Sequence, residues 1–181
     1  GRKGITILCP LETDSIFKVD SICSIIVNKL HNLRSPDFYI IQSEITNDYK
    51  KICELYSQIE AYEKYRFIFG YNSIISCSRL KASEQSGKTF NIDSETIICA
   101  MDKADRQGLD SILISIKNNL QDGSYSYDSV QVSLLNLMNI ISNYFTTKDY
   151  KVPNKQDIFM LLQQSETLAE IIDWIRGICA E

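Results

Sequence analysis

Few residues in this chain are placed to do chemistry, and the first that could are carboxylates. Glu12 and Asp14 lie just after an apolar run closed by Pro10, where an α/β strand end often presents metal ligands. The same two residues suit a polar loop and a helix N-cap, which asks less of them and is the reading preferred. Asp102, Asp105 and Asp110 punctuate two helical stretches without the spacing of a calcium loop, so they read as capping or solvated positions. His31 is the only histidine and stands at a helix end, where terminal carbonyls can occupy it. The six cysteines (Cys9, Cys23, Cys53, Cys77, Cys99 and Cys179) never form Cys-x-x-Cys and mostly follow apolar residues, which suits reduced, buried thiols better than a disulfide framework or a zinc site. No Ser, Cys or Asp stands in a nucleophile elbow, and Gly70 and Gly87 are too isolated to cradle phosphate. The expectation is no catalytic, cofactor-binding or metal-binding residue, no cofactor, and no enzyme.

One other group stands out. Tyr56, Tyr62, Tyr65, Phe67, Phe69 and Tyr71 concentrate aromatic surface in a short stretch. Tyr62, Tyr65, Phe69 and Tyr71 are the candidates for an effector pocket or an interface with another chain. The plainer alternative, and the favoured one, is that these rings pack helix against sheet with hydroxyls at the rim.

The elements that must position them follow from periodicity. Gly4 to Cys9 is β-branched and apolar and reads as a buried strand. Thr13, Asp14 and Ser15 offer cap oxygens to a helix with Val19, Ile22, Cys23, Ile26, Leu30 and Leu33 on one face. A strand is expected at Phe38 to Ser43, then a helix to Gly70 facing inward with Ile52, Cys53, Tyr56 and Ile59, then a strand at Ser73 to Ser78. Lys81 to Asn91 is polar and reads as a connector. Beyond it only helices are expected: one capped by Asp93 or Ser94 and running through Ala104, and one with Leu109, Ile112, Leu113, Ile116 and Leu120 that Gly123 stops. A long helix from about Tyr127 to Phe145 carries Val130, Leu134, Leu137, Ile141 and Phe145. A short one follows at about Gln156 to Gln164, and Thr167-Leu168-Ala169-Glu170 is a capping-box start for the last.

The expected fold class is therefore α+β: a small two-layer or three-layer strand-helix-strand-helix-strand unit over residues 1–80, a connector over 81–92, and an all-α half over 93–181. The 181 residues, 44% hydrophobic and 23% charged, suffice for a real core. A net charge of −4 argues against direct nucleic-acid binding, which needs a basic face to replace phosphate counterions. Apolar runs such as Leu134 to Ile141 fall well short of the roughly 20 residues that span a bilayer, and no export signal is read at the start. These features lead to an expected cytoplasmic location and no membrane partner.

The segment Glu60 to Ile75, an aromatic helix running into Gly70-Tyr71-Asn72 and a short strand, resembles the region before the DNA-binding domain of AraC-type bacterial transcription regulators, especially two-component response regulators. The helical half shares the order of that region and its closing Glu-Thr-Leu-x-Glu-x-x-x-Trp pattern, here Glu166 to Trp174. The α/β half resembles the second half of a GGDEF-type fold in degenerate form, with Ala61, Tyr65, Gly70 and Asn72 as remnants of its helix and turn. The family's acidic hairpin would fall at Gly1-Arg2-Lys3-Gly4-Ile5, which carries no carboxylate, and Arg2 and Lys3 cannot hold the cations a nucleotidyl cyclase needs.

The resemblance thus implies a non-catalytic coupling region that reaches DNA only through a downstream domain. It also implies a cognate sensor kinase acting through an upstream domain, and dimerisation with a second copy. The alternatives are a sensor that binds a small-molecule effector directly and, less favoured, a GGDEF-like nucleotide-binding enzyme.

Overall fold

A computed structural model of the chain describes residue 7 and residues 16–32, 37–149 and 155–180. The first predicted strand, the carboxylates Glu12 and Asp14, the cap at residues 13–15 and the segment Gly1 to Ile5 lie outside the described residues, apart from Ile7, which is exposed coil.

Helix α1 (Ile16–Asn32) turns Cys23 inward, with Val19, Ile26 and Leu30 half-buried, but Ile22 stays open to solvent against expectation. Strands β1 (Tyr39–Gln42) and β2 (Ser73–Ser76) pair in parallel, Tyr39 opposite Ser73 and Gln42 opposite Ser76. Parallel strands need a crossover, and a helical run supplies it. It begins as a 3-10 turn at Tyr49–Lys51, capped by Asp48, and becomes α2 (Ile52–Tyr62). A second 3-10 turn at Glu63–Tyr65 leads into the short α3 (Arg66–Phe69).

Two readings of this region need correction. The inward side of α2 is Leu55, Ile59 and Tyr62, whereas Ile52, Cys53 and Tyr56 are exposed. Both sets fit a helical repeat; the first is the one that continues into the buried Tyr65 and Ile68. Second, the predicted strand through Ser78 stops at Ser76, and α4 (Cys77–Ser86) takes the first half of what reads as connector. Only Cys77, Leu80 and Ser83 of α4 are buried, one residue per turn, so the sequence reads as polar.

The turn between α3 and β2 depends on Gly70, whose φ of 72° and ψ of −164° lie where only glycine goes without strain. Asn72 follows at φ 57°, and its N–H donates to the Phe38 carbonyl at 2.6 Å, which extends the strand pairing by a rung.

The helices that follow match their caps. The Asp93 side chain accepts from the N–H groups of Glu95 and Thr96 to start α5 (Ser94–Asp102), and Asp105 accepts from Gly108 to start α6 (Arg106–Leu120). Ser126 caps α7 (Tyr127–Thr147) through the Ser129 N–H. Helix α8 (Lys155–Gln164) precedes α9 (Leu168–Ala180), where Thr167 Oγ1 accepts from the Glu170 N–H and the Glu170 carboxylate reaches back to the Glu166 N–H at 2.9 Å. The inward stripes are those expected: Leu109, Leu113, Ile116 and Leu120 on α6, and Val130, Leu134, Leu137 and Ile141 on α7. Arg176 of α9 forks onto Asp110 of α6 with two bonds of 2.8 and 2.9 Å.

Among the described residues the chain is mostly helical with one small parallel sheet, an α+β arrangement. A contiguous core of described residues runs from Tyr62 and Ile75 through Leu134 to Ile175, so the sheet and the helices share an interior. Of the described cysteines, all free, Cys23 and Cys77 are buried as expected, but Cys53 and Cys99 are exposed. In Ile97-Ile98-Cys99-Ala100 it is Ile97 and Ala100 that face the core, which turns Cys99 outward. No described helix is long and apolar enough to cross a membrane.

Candidate functional site: the aromatic seam and its cleft

The seam between the α/β part and the later helices is built around Tyr65. Its side chain is fully buried, brought inward where α2 tightens into the 3-10 turn. Its hydroxyl donates to Glu84 Oε1 of α4 at 3.1 Å and accepts the Tyr127 backbone N–H at 2.9 Å. Tyr127 is the first residue of α7, so one phenol oxygen joins a carboxylate of α4 to an otherwise orphaned helix-end donor. Tyr62 donates to the other oxygen of Glu84 at 3.1 Å. Rings pack along this line, Tyr62 and Tyr65 tilted with centroids 5.7 Å apart, and Tyr65 with Tyr127 at 5.8 Å and Phe67 with Tyr127 at 6.3 Å edge to face.

Two further ties cross the seam. Gln121 Nε2, just after α6, donates to the Ile68 carbonyl at 2.8 Å. Arg79 of α4 donates to the Asp122 carbonyl, lying against Gly123, whose φ of 76° again requires glycine; a Cβ there would sit 3.0 Å from Arg79 Nε.

Of the four aromatic candidates, the structure therefore gathers Tyr62 and Tyr65 on Glu84. Phe69 lies against the core, and Tyr71 donates to Glu166 in the loop before α9. Glu84, Gln121 and Tyr127 were not singled out from the sequence. Nothing local marks them, since each meets its partner only through the fold.

Burial sets the electrostatics of the seam. Loss of water, then the Glu84 carboxylate, pushes Tyr62 up to about 12, and burial likewise raises Tyr65. Burial and then Glu44 push the Cys77 thiol to about 11. Acids whose pKa is raised by folding contribute stability that is whole below their unfolded values near 9 and 10 and is lost as pH rises through about 11 and 12. Thermal melts should accordingly hold steady from neutral pH to about 9 and fall steeply above it; a midpoint unchanged at pH 11 to 12 would show these groups to be solvated.

Beside the seam a cleft of about 620 Å³ opens between the Lys64–Phe67 stretch, α7 and the end of α8. Phe67, Tyr127, Leu135 and Leu162 give it apolar walls, while Lys64 and Arg66 bring positive charge. Gln131, Gln163, Gln164 and Ser165 supply neutral polar groups, and Glu166 supplies a carboxylate. No cluster of three or more His, Cys, Asp or Glu side chains suited to a metal ion occurs among the described residues.

Comparison of this chain with protein-family models, with curated proteins and with solved structures returns no match.

Proposed function

We propose that this chain is a non-catalytic, cytoplasmic signal-coupling region of an AraC-type transcriptional regulator of the two-component kind, with a degenerate GGDEF-like α/β part. In this reading a downstream domain contacts DNA and an upstream domain takes the signal from a sensor kinase. Support comes from the resemblance of Glu60 to Ile75 and Glu166 to Trp174, and from one structural observation above others. The Tyr65 hydroxyl holds Glu84 of α4 and the first N–H of α7 together, so a shift of the α2–α3 run cannot leave α7 in place without breaking a bond at this part-buried junction.

That is the requirement for coupling. An input acting on the α/β part and an output attached to the helices need a shared element with two arrangements a few kcal/mol apart. A dimer in which α7 or α9 shifts would then change how paired DNA-binding domains meet their half-sites.

In the full-length protein, replacing this region with a flexible linker of similar reach should abolish the response to signal while leaving DNA binding measurable. An intact response would mean that the region only spaces its neighbours. Incubation of the chain with GTP and Mg²⁺ should yield neither a cyclic dinucleotide nor pyrophosphate, and either product would restore the enzymatic alternative.

A further inference from the structure

Three cations of the molecule sit on carboxylates: Lys81 meets Glu44, Lys148 meets Asp102, and Arg176 meets Asp110 and Asp173. Lys64 and Arg66 are held in another way. Among the described residues neither forms an ion pair, and each rests on an aromatic face instead. The Lys64 ammonium lies 5.2 Å from the Tyr127 ring centroid and 5.8 Å from that of Tyr65, and the Arg66 guanidinium lies 5.9 Å from that of Tyr39. Both line the same cleft, whose size falls within the roughly 300–1,000 Å³ of small-molecule sites.

The walls restrict what such a cleft accepts. Phe67 and Leu162 are buried residues of its lining and Tyr127 presents a ring, so an apolar, flat body is matched there. Lys64 and Arg66 set against Glu166 leave one net positive charge in the lining, and Glu166 already accepts the Tyr71 hydroxyl. One surplus charge suits a monoanion and cannot balance the several charges of a polyphosphate. Gln131 is held by its bond to the Tyr127 hydroxyl at 3.2 Å, which fixes that ring's polar edge. An inorganic anion would leave Phe67, Leu135 and Leu162 of the lining uncovered.

We infer that the cleft binds a planar organic monocarboxylate, with its ring system against Phe67, Tyr127 and Leu162 and its carboxylate between Lys64 and Arg66. The inference goes beyond the regulatory reading and does not require it: the cleft can take such a ligand in a protein of any role, and a coupling region can work with the cleft empty. If both hold, the ligand bridges the α3 side and the α7 side of the seam and favours the arrangement in which they are close.

The probe is 2-naphthoate, compared with the isosteric neutral 2-naphthamide, each titrated into the isotopically labelled chain and followed by backbone amide shifts. The expected result is a saturable shift at millimolar concentration or below, centred on Phe67, Tyr127 and Leu162. The amide should bind at least tenfold more weakly, and 2-naphthoate should lose at least tenfold in the double variant K64Q/R66Q while K64R/R66K retains it. Absence of saturable shifts, shifts centred elsewhere, equal affinity for acid and amide, or binding indifferent to K64Q/R66Q would each overturn the inference. Should K64Q/R66Q fail to fold, the acid and amide pair on the unaltered chain decides. None of these results bears on the linker replacement in the full-length protein, so the two readings fail separately.

Discussion

Replacing Tyr65 with alanine is expected to lower the stability of the chain by about 3–5 kcal/mol, the range for removing a large buried aromatic side chain. The ring is fully buried between Tyr62 and Tyr127, and its removal opens a cavity at the point where α2, α4 and α7 converge. Phenylalanine at the same position separates packing from hydrogen bonding. It keeps the ring but removes the part-buried bonds to the Tyr127 N–H and to Glu84, a loss of about 0.5–1.5 kcal/mol, the usual net worth of a hydrogen bond that water can partly replace. Urea denaturation followed by far-UV circular dichroism measures both. A loss below about 1 kcal/mol for Y65A would mean that the seam is not packed as described. If the chain is the coupling region proposed, Y65F in the full-length protein should weaken the response to signal more than it weakens DNA binding, because it cuts the tie between α4 and α7 and leaves the remaining packing in place.

Leu134→Ala is expected to cost about 2–5 kcal/mol, and its effect should reach the sheet. Leu134 is fully buried in the middle of α7, in the same core cluster as Ile75 of β2 and Ile175 of α9. With a shared interior, weakening it at α7 should lower the protection of β1 and β2 amides against hydrogen exchange as well as that of α7. The fluorescence of Trp174 and the helical circular dichroism should fall in one coincident transition. If the L134A helices unfolded while the amides of Ile41 and Ile75 stayed protected, the sheet and the helices would be separate cooperative units, and coupling through a common core would fail with that result.

The later helices were legible because their information is local. Asp93 and Asp105 each mark a start by accepting a bond from two or three residues on, and the stripes of α6 and α7 repeat at helical spacing. The α/β part was harder for a physical reason. On α2, Ile52-Cys53-Tyr56 and Leu55-Ile59-Tyr62 both repeat correctly, and only the position of the sheet and the tightening at Glu63–Tyr65 decide which side turns in. Helix α4 gave almost no apolar signal because a small residue, Ser83, takes one of its three buried positions; its hydroxyl donates to the Leu80 carbonyl. The site divided in the same way. Tyr62 and Tyr65 announced themselves as aromatics, but their carboxylate is 22 and 19 residues away, and Tyr127 is 62 residues from Tyr65. The cleft joins Lys64 and Arg66 to the end of α8, a meeting that only the completed fold creates.

Whether this region couples an input to a DNA-binding output is tested most directly by reading the native coding sequence on both sides of residues 1–181. A coupling region of the proposed kind is followed by a basic domain of about 100 residues with two helix-turn-helix patterns and preceded by a phosphoacceptor domain. A frame with no such domain downstream, and an acidic GGDEF-type hairpin immediately before Gly1, would contradict it and make nucleotide chemistry the leading reading.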